Sequence, residues 1–272
     1  MITRRKFVTA LGLGAVAPRA VFADQEKQQR PDASFISRIL SDHPVAQPLH
    51  RPAPSTWRDD TVTAAWIGHA TVLINFFGTT IITDPVFSEK IGINLLRMFT
   101  LGPKRLTAPA LSIEELPPID LILLSHAHMD HLDLPSLRRF DRSIPTVMAQ
   151  NTRDVIDSLY RERVTELDWG ETITLAGVTI EAFRTTHFGW RFPWESDRTK
   201  GDWNGRSFNA YLLTKNGKTI LFGGDTAYQE YFKAIGERNF DVDLAILPIG
   251  AYDPWIRVHA NPEQAVAMAN HV

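Results

Sequence analysis

Apolar and polar residues along the chain fall into short blocks with two different periods. Residues 61–67 and 71–77 are rich in Thr, Val, Ile and Phe and read as strands. Gly78 turns the chain into a third strand at 79–83, which Asp84-Pro85 closes. Residues 120–124 form a continuous apolar run, the pattern of a strand buried on both faces. Residues 145–149 and 243–248 read as further strands. Residues 172–183 alternate with period two around Ala176-Gly177, which predicts a hairpin. Asn216-Gly217, a strong hairpin signal, joins 207–214 to 218–222. Helices are predicted at 133–140, 151–161, 228–238 and 262–270. Asp133 and Asn261 stand at caps, with Pro135 and Pro262 in the first turns. Strands alternating with helices favour a layered α/β fold.

The other stretches lack this periodicity. Residues 24–58 are polar and interrupted by Pro31, Pro44, Pro48, Pro52 and Pro54, so a loose lead-in is expected, with one short helix at 34–40 and solvated His43 and His50. Residues 86–118 are punctuated by Gly and Pro around an apolar cluster at 91–99. That cluster reads as a short amphipathic helix bordering the site, as a lid meeting an acyl chain or membrane, or as ordinary packing. Arg105, just beyond it, reads as a surface residue or as a contact for an anionic substrate.

Composition narrows the classes. A chain of 272 residues, 44% hydrophobic, is enough for one α/β domain with a sizeable core. The formal net charge is −2, and residues 1–23 hold Arg4, Arg5, Lys6 and Arg19 with no acid, so the remainder is the more acidic part. An acidic body argues against general nucleic-acid binding. The absence of Cys excludes disulfides and thiolate metal sites, so any metal must be held by His and carboxylates. Residues 1–23 read as an export signal: Thr3-Arg4-Arg5-Lys6-Phe7-Val8 resembles the twin-arginine motif, the apolar stretch at 8–17 is too short to span a bilayer, and Val21-Phe22-Ala23 offers a cleavage site. A periplasmic location follows from that reading; an uncleaved signal would leave the protein cytoplasmic or membrane-associated.

The chemistry concentrates where the 120–124 strand ends, at Ser125-His126-Ala127-His128-Met129-Asp130-His131. Residues two apart on an extended chain face the same side, so His126 and His128 can offer both imidazoles to one ion. Asp130 and His131 follow in the turn and can face a second ion. Imidazole and carboxylate suit Zn²⁺, Fe²⁺ or Mn²⁺.

The His-x-His-x-Asp-His pattern resembles the signature of the metallo-β-lactamase superfamily. Trp66-Ile67-Gly68-His69-Ala70-Thr71, Thr83-Asp84-Pro85-Val86-Phe87-Ser88, Gly102-Pro103-Lys104-Arg105, Gly223-Gly224-Asp225-Thr226 and Leu247-Pro248-Ile249-Gly250-Ala251-Tyr252-Asp253-Pro254 are similar to the branch containing the N-acyl-phosphatidylethanolamine-hydrolysing phospholipase D and its bacterial relatives. The resemblance covers about residues 57–272. It implies a four-layer αββα fold over a domain at 59–272, in which the family's C-terminal strand and helix are missing after Val272. It implies two divalent ions, Zn²⁺ first among them. One is held by His126, His128 and His187, the other by Asp130, His131 and His259, with Asp225 bridging. Asp130 would also handle the proton. Asp84 is implied as a group behind the ligands, with a turn cap before Pro85 as its alternative; His69 reads equally as a pocket residue or as a partner for backbone groups, and Tyr252 stands with them on the substrate side. The aromatic stretch 188–194 reads as loop packing, pocket wall or a membrane-contacting surface. The implied activity is hydrolysis of a phosphodiester of phospholipid type by a metal-bridging hydroxide. Lactone, ester or amide hydrolysis on the same site is the alternative, and a truncated, non-catalytic metal-binding chain is another. The implied partner is a small-molecule or lipid substrate; a lipid would bring peripheral membrane contact, and no nucleic acid is expected.

Overall fold

The computed structural model describes residues 42–95, 99–238 and 241–272. The export signal and the helix at 34–40 lie outside the described residues. In chain order the strands are β1 (Val62–Gly68), β2 (Thr71–Phe76), β3 (Thr79–Thr83), β4 (Ile93–Leu95), β5 (Phe99–Leu101), β6 (Leu121–Leu124), β7 (Thr146–Ala149), β8 (Val164–Leu167), β9 (Thr172–Leu175), β10 (Val178–Arg184), β11 (Asn209–Lys215), β12 (Lys218–Phe222) and β13 (Leu244–Ile246). The α-helices are α1 (Leu134–Leu137), α2 (Arg153–Ile156), α3 (Tyr231–Gly236) and α4 (Pro262–Ala269).

Two sheets face each other. One runs β1-β2-β3-β6-β7-β8, the other β13-β12-β11-β10-β9. Val72, Ile74, Phe76, Leu121, Leu123 and Val147 from the first meet Ile180, Tyr211, Leu213, Ile220 and Phe222 from the second in the central core. The outer face of the first sheet presents Ile122, Leu124 and Met148 to Leu137 and Ile156 of α1 and α2. The outer face of the second presents Leu212 and Leu221 to Phe232, Ile235 and Met268 of α3 and α4. These clusters make the αββα layering that the resemblance implied. β6 behaves as its apolar run predicts: Leu121 and Leu123 enter one core layer, Ile122 and Leu124 the other, and none is more than 1% exposed. It pairs in parallel with β3 and β7. The two predicted hairpins form, β9 with β10 and β11 with β12.

Several expectations are corrected. Among the described residues of the apolar cluster at 91–99 there is no helix: β4 and β5 pair antiparallel. Gly102 explains the tight pairing, because a Cβ there would collide with the Ile91 carbonyl. The helix expected at 151–161 is only α2 followed by a 3-10 turn at Asp157–Leu159, ended by Tyr160 in the left-handed region (φ 51°). The helix at 228–238 starts at Tyr231. Asp133 caps α1 without a bond to its backbone, its carboxylate accepting from the Ser88 and Ser136 hydroxyls instead. β8, with no clear period of its own, was not foreseen. Nor is the lead-in loose where it is described: Ala46 bonds to Leu106 and Ala108, and Arg51 donates to the Ala110 carbonyl at 3.1 Å. Arg105 is buried at 8% exposure, its guanidinium donating to the carbonyls of Thr107, Val86 and Ser88. It braces this region and is not the surface residue expected. Among the described residues no helix is long and apolar enough to cross a membrane.

Candidate metal centre

Strand ends from both sheets supply the polar cluster. β3 ends at Asp84, β6 delivers His126, β10 leads through Thr185-Thr186 to His187, and β12 leads through Gly223-Gly224 to Asp225. His259 arrives from the loop after β13, just ahead of α4. Gly224 makes the convergence possible. It has φ 55°, and a Cβ there would press on the Asn209 carbonyl and on Ser125 Cβ, both at 2.8 Å.

His126, His128 and His187 meet first. His126 Nε2 lies 2.8 Å from His128 Nδ1, and His187 Nε2 lies 3.2 Å from the same atom. The surrounding bonds assign the protons. His187 Nδ1 donates to the Val258 carbonyl at 2.9 Å, so its Nε2 carries a lone pair. The Ser125 hydroxyl donates to Asp84 at 2.6 Å and therefore accepts from His126 Nδ1 at 2.9 Å, which leaves a lone pair on His126 Nε2. Two lone pairs thus aim at one nitrogen of His128. Burial, with the neighbouring His187 next in weight, holds the His128 imidazole down at about 3. Burial likewise holds His187 down at about 4. Burial and the His131 charge hold His126 well below the usual range. A neutral His128 can offer at most one proton there, and its buried Nε2 has no partner among the described residues. Nitrogens bound at ~2.0–2.1 Å to one tetrahedral ion stand about 3.3–3.4 Å apart. The three nitrogens fit a cation better than they fit one another.

The second group surrounds Asp225. Its Oδ2 lies 3.0 Å from His131 Nε2, 3.1 Å from His259 Nε2 and 3.8 Å from His187 Nε2. His131 Nδ1 donates to Asp84 at 2.7 Å. Burial opposes charge on His131, but the carboxylates of Asp225, Asp130 and Asp84 outweigh it and lift the imidazole well above its ordinary value. Asp225 is held well below the carboxylate range: burial works against its charge, and His131 and His259 overcome that. Asp130 Oδ2 lies 3.9 Å from His131 Nε2 and 3.1 Å from His69 Nε2. Asp130 too stays ionised, its burial offset by His131 and His69.

The seven ligand candidates therefore do converge, in overlapping sets: His126 with His128 and His187, His126 with His131 and Asp225, and His187 with Asp225 and His259. Asp130 groups with His131 and His69. His69, open to either reading in the sequence, is drawn toward the cluster. It sits in a turn at φ 54°, with the Trp66 indole donating to its carbonyl at 2.6 Å. Asp84 is fully buried and takes no place among the converging ligand sets; it accepts from the Ser125 amide and hydroxyl and from His131. Carboxylates that fix an imidazole from behind are common partners of ligating histidines. Tyr252 is half-exposed, its hydroxyl donating to Glu263 of α4 at 3.1 Å. In the aromatic stretch, Phe188 stacks on His187 and touches His128, and Trp190 stacks on Phe188, so this part walls the imidazoles. Trp194 is 79% exposed and stacks on Phe192. Sequence reading gave Ser125 no role of its own, though it opens the motif, and missed Arg191, hidden among the aromatics.

The Beta-lactamase superfamily domain model matches residues 79–272. An uncharacterized protein of Mycobacterium tuberculosis is 30% identical over 261 residues, 92% of this chain and 66% of its own length. The N-acyl-phosphatidylethanolamine-hydrolyzing phospholipase D 1 of Caenorhabditis elegans is 31% identical over 236 residues, 80% of this chain and 63% of its own length. The chain thus spans slightly less than two thirds of these curated relatives. Among solved structures, an isothiocyanate hydrolase from Delia radicum gut bacteria superposes with a TM-score of 0.57 at 21% identity, covering 77% of this chain and 80% of its own. The family match over most of the chain, the two-sheet layering and the converging imidazoles and carboxylates agree: the chain belongs to the metallo-β-lactamase superfamily of hydrolases.

Proposed function

We propose that the chain is a dinuclear metal-dependent hydrolase acting on a phosphodiester of phospholipid type. The observation that carries this reading is Asp225 Oδ2, one carboxylate oxygen within 3.0–3.8 Å of three imidazoles drawn from both groups. His126, His128 and His187 would hold one ion, and Asp130, His131 and His259 the other, with Asp225 common to both. His69 stands beside Asp130 at the open side. Divalent cations in such a site supply Lewis acidity and a hydroxide nucleophile at neutral pH. The protein supplies the rest. Asp84 and the Val258 carbonyl hold His131 and His187 in the tautomers that present Nε2. Phe188 and Trp190 exclude water from one flank of the first trio. Ionised Asp130, beside the cluster and only partly covered, would serve as the proton acceptor. The phospholipid preference is supported by the similarity to the Caenorhabditis elegans phospholipase.

The test is metal content followed by turnover on a chromogenic phosphodiester and a lactone. Two ions per chain are expected, with phosphodiester cleavage lost on chelation and restored by Zn²⁺, Mn²⁺ or Fe²⁺. His128→Ala and Asp225→Ala should each reduce turnover by more than about 100-fold, at least the loss typical of a metal's outer partners. Retention of most activity by either variant would end the assignment; preference for the lactone would redirect the substrate class.

A further inference from the structure

The turn that carries three of the ligand candidates is held from outside by a residue of the aromatic stretch. Arg191 Nη1 donates to the Ala127 carbonyl at 2.6 Å and to the Leu132 carbonyl at 3.1 Å. These two carbonyls flank the segment bearing His128, Asp130 and His131, so one nitrogen spans the loop from end to end. Within the loop, the amides of His131 and Leu132 both donate to the His128 carbonyl, at 3.1 and 2.8 Å. Those bonds close the turn from within, between His128 and Leu132; Arg191 adds a tie from outside that reaches Ala127 as well.

Arg191 is itself anchored. Its amide donates to Glu195 Oε2 at 2.8 Å, and Glu195 accepts from Arg206 Nε at 2.8 Å and Nη2 at 3.1 Å. Arg206 also pairs with Asp154 and donates to the Asn151 carbonyl, which fixes the array to the start of α2. Burial, then the nearby Arg206, pulls the Arg191 guanidinium down to about 10, so it remains charged at neutral pH. A charged donor shared between two carbonyls makes bonds stronger than neutral ones.

We propose that Arg191 is a positioning residue for the metal centre: by bridging the Ala127 and Leu132 carbonyls it holds the His-x-His-x-Asp-His loop in the form that binds cations. This rests on the metal-centre reading above. It acts through the backbone, so its removal should weaken cation binding without deleting a ligand.

The full chain, stripped of metal, is titrated with Co²⁺ and followed by visible absorption, for the parent and for Arg191→Met, Arg191→Gln and Arg191→Lys. Arg191→Met is expected to bind Co²⁺ about 10–100-fold more weakly, the loss usual for a partner behind the ligands, with shifted ligand-field bands. Arg191→Lys, whose ammonium can also donate to two carbonyls, should recover most of the affinity. Should Arg191→Met fail to fold, the folded Arg191→Gln carries the test: weakened Co²⁺ binding supports the proposal and parental affinity overturns it. Parental affinity and spectrum in Arg191→Met also overturn it, as does equal loss in the Lys and Met variants. Failure of the parent chain itself to take up Co²⁺ overturns the metal-centre reading and this inference with it.

Discussion

The carboxylate of Asp84 accepts from the Ser125 amide at 2.7 Å, the Ser125 hydroxyl at 2.6 Å and His131 Nδ1 at 2.7 Å. Through the hydroxyl it sets the tautomer of His126, and directly it sets that of His131. Asp84→Asn keeps the shape but loses one acceptor, so either His131 or Ser125 is left facing an amide N–H. Cation affinity should fall about 10–100-fold, and stability should drop by ~1–3 kcal/mol from the unpaired buried donor. Competition with a chelator, read beside a urea melt, checks both; unchanged affinity would remove Asp84 from this role. At this scale the ligand candidates that converge could be read from the sequence because imidazoles and carboxylates announce their chemistry by type and spacing. Ser125 and Arg191 could not. A hydroxyl relaying a proton preference, or a guanidinium bound to carbonyls, looks in sequence like any other polar residue.

α4 begins three residues after His259, with Asn261 and Gln264 forming a reciprocal capping box in which each side chain bonds the other's backbone amide. Asn261→Ala should cost about 1 kcal/mol. Because the cap fixes where the preceding chain enters the helix, the variant should also, on the two-ion reading proposed above, weaken the ion beside His259 more than the other. Differential scanning calorimetry and metal analysis together read this; equal weakening of both ions would show that the cap does not reach His259. Elements were legible where period and turn chemistry agreed, as at β6 and the Asn216-Gly217 hairpin. They were obscured where tertiary contacts decided. The cluster at 91–99 is apolar enough for a helix, yet Gly102 lets two backbones close on each other and an antiparallel strand pair results. The predicted helix at 151–161 stops as an α-helix at Ile156, and Glu166 of β8 accepts from the Thr152 and Arg153 amides to begin what remains. No local pattern shows that partner.

Across the whole molecule, Arg206 joins α2 to the loop beyond His187 through Asp154 and Glu195. Its hydrogen bond is the main cause that keeps Asp154 below its ordinary value. For Glu195, burial works the other way and the bonds from Arg206 and the Arg191 amide prevail, so it too is lowered. Carboxylates lowered on folding stabilise fully above their unfolded values, about 4, and lose that contribution as pH falls through the folded ones. The parent should therefore lose stability more steeply below about pH 4 than Arg206→Met, the two curves converging in acid. Urea midpoints across pH 7 to 3 measure this, and parallel curves would show that the array is too solvated to matter. The ligand candidates come from both sheets. His126, His128, Asp130 and His131 follow a strand of one sheet, while His187 and Asp225 follow strands of the other. Cations gripped by both sets would work as rivets through the sandwich. Chelation should lower the melting temperature and speed deuterium uptake along the seam where β6 and β12 end, leaving the far rim of each layer unchanged.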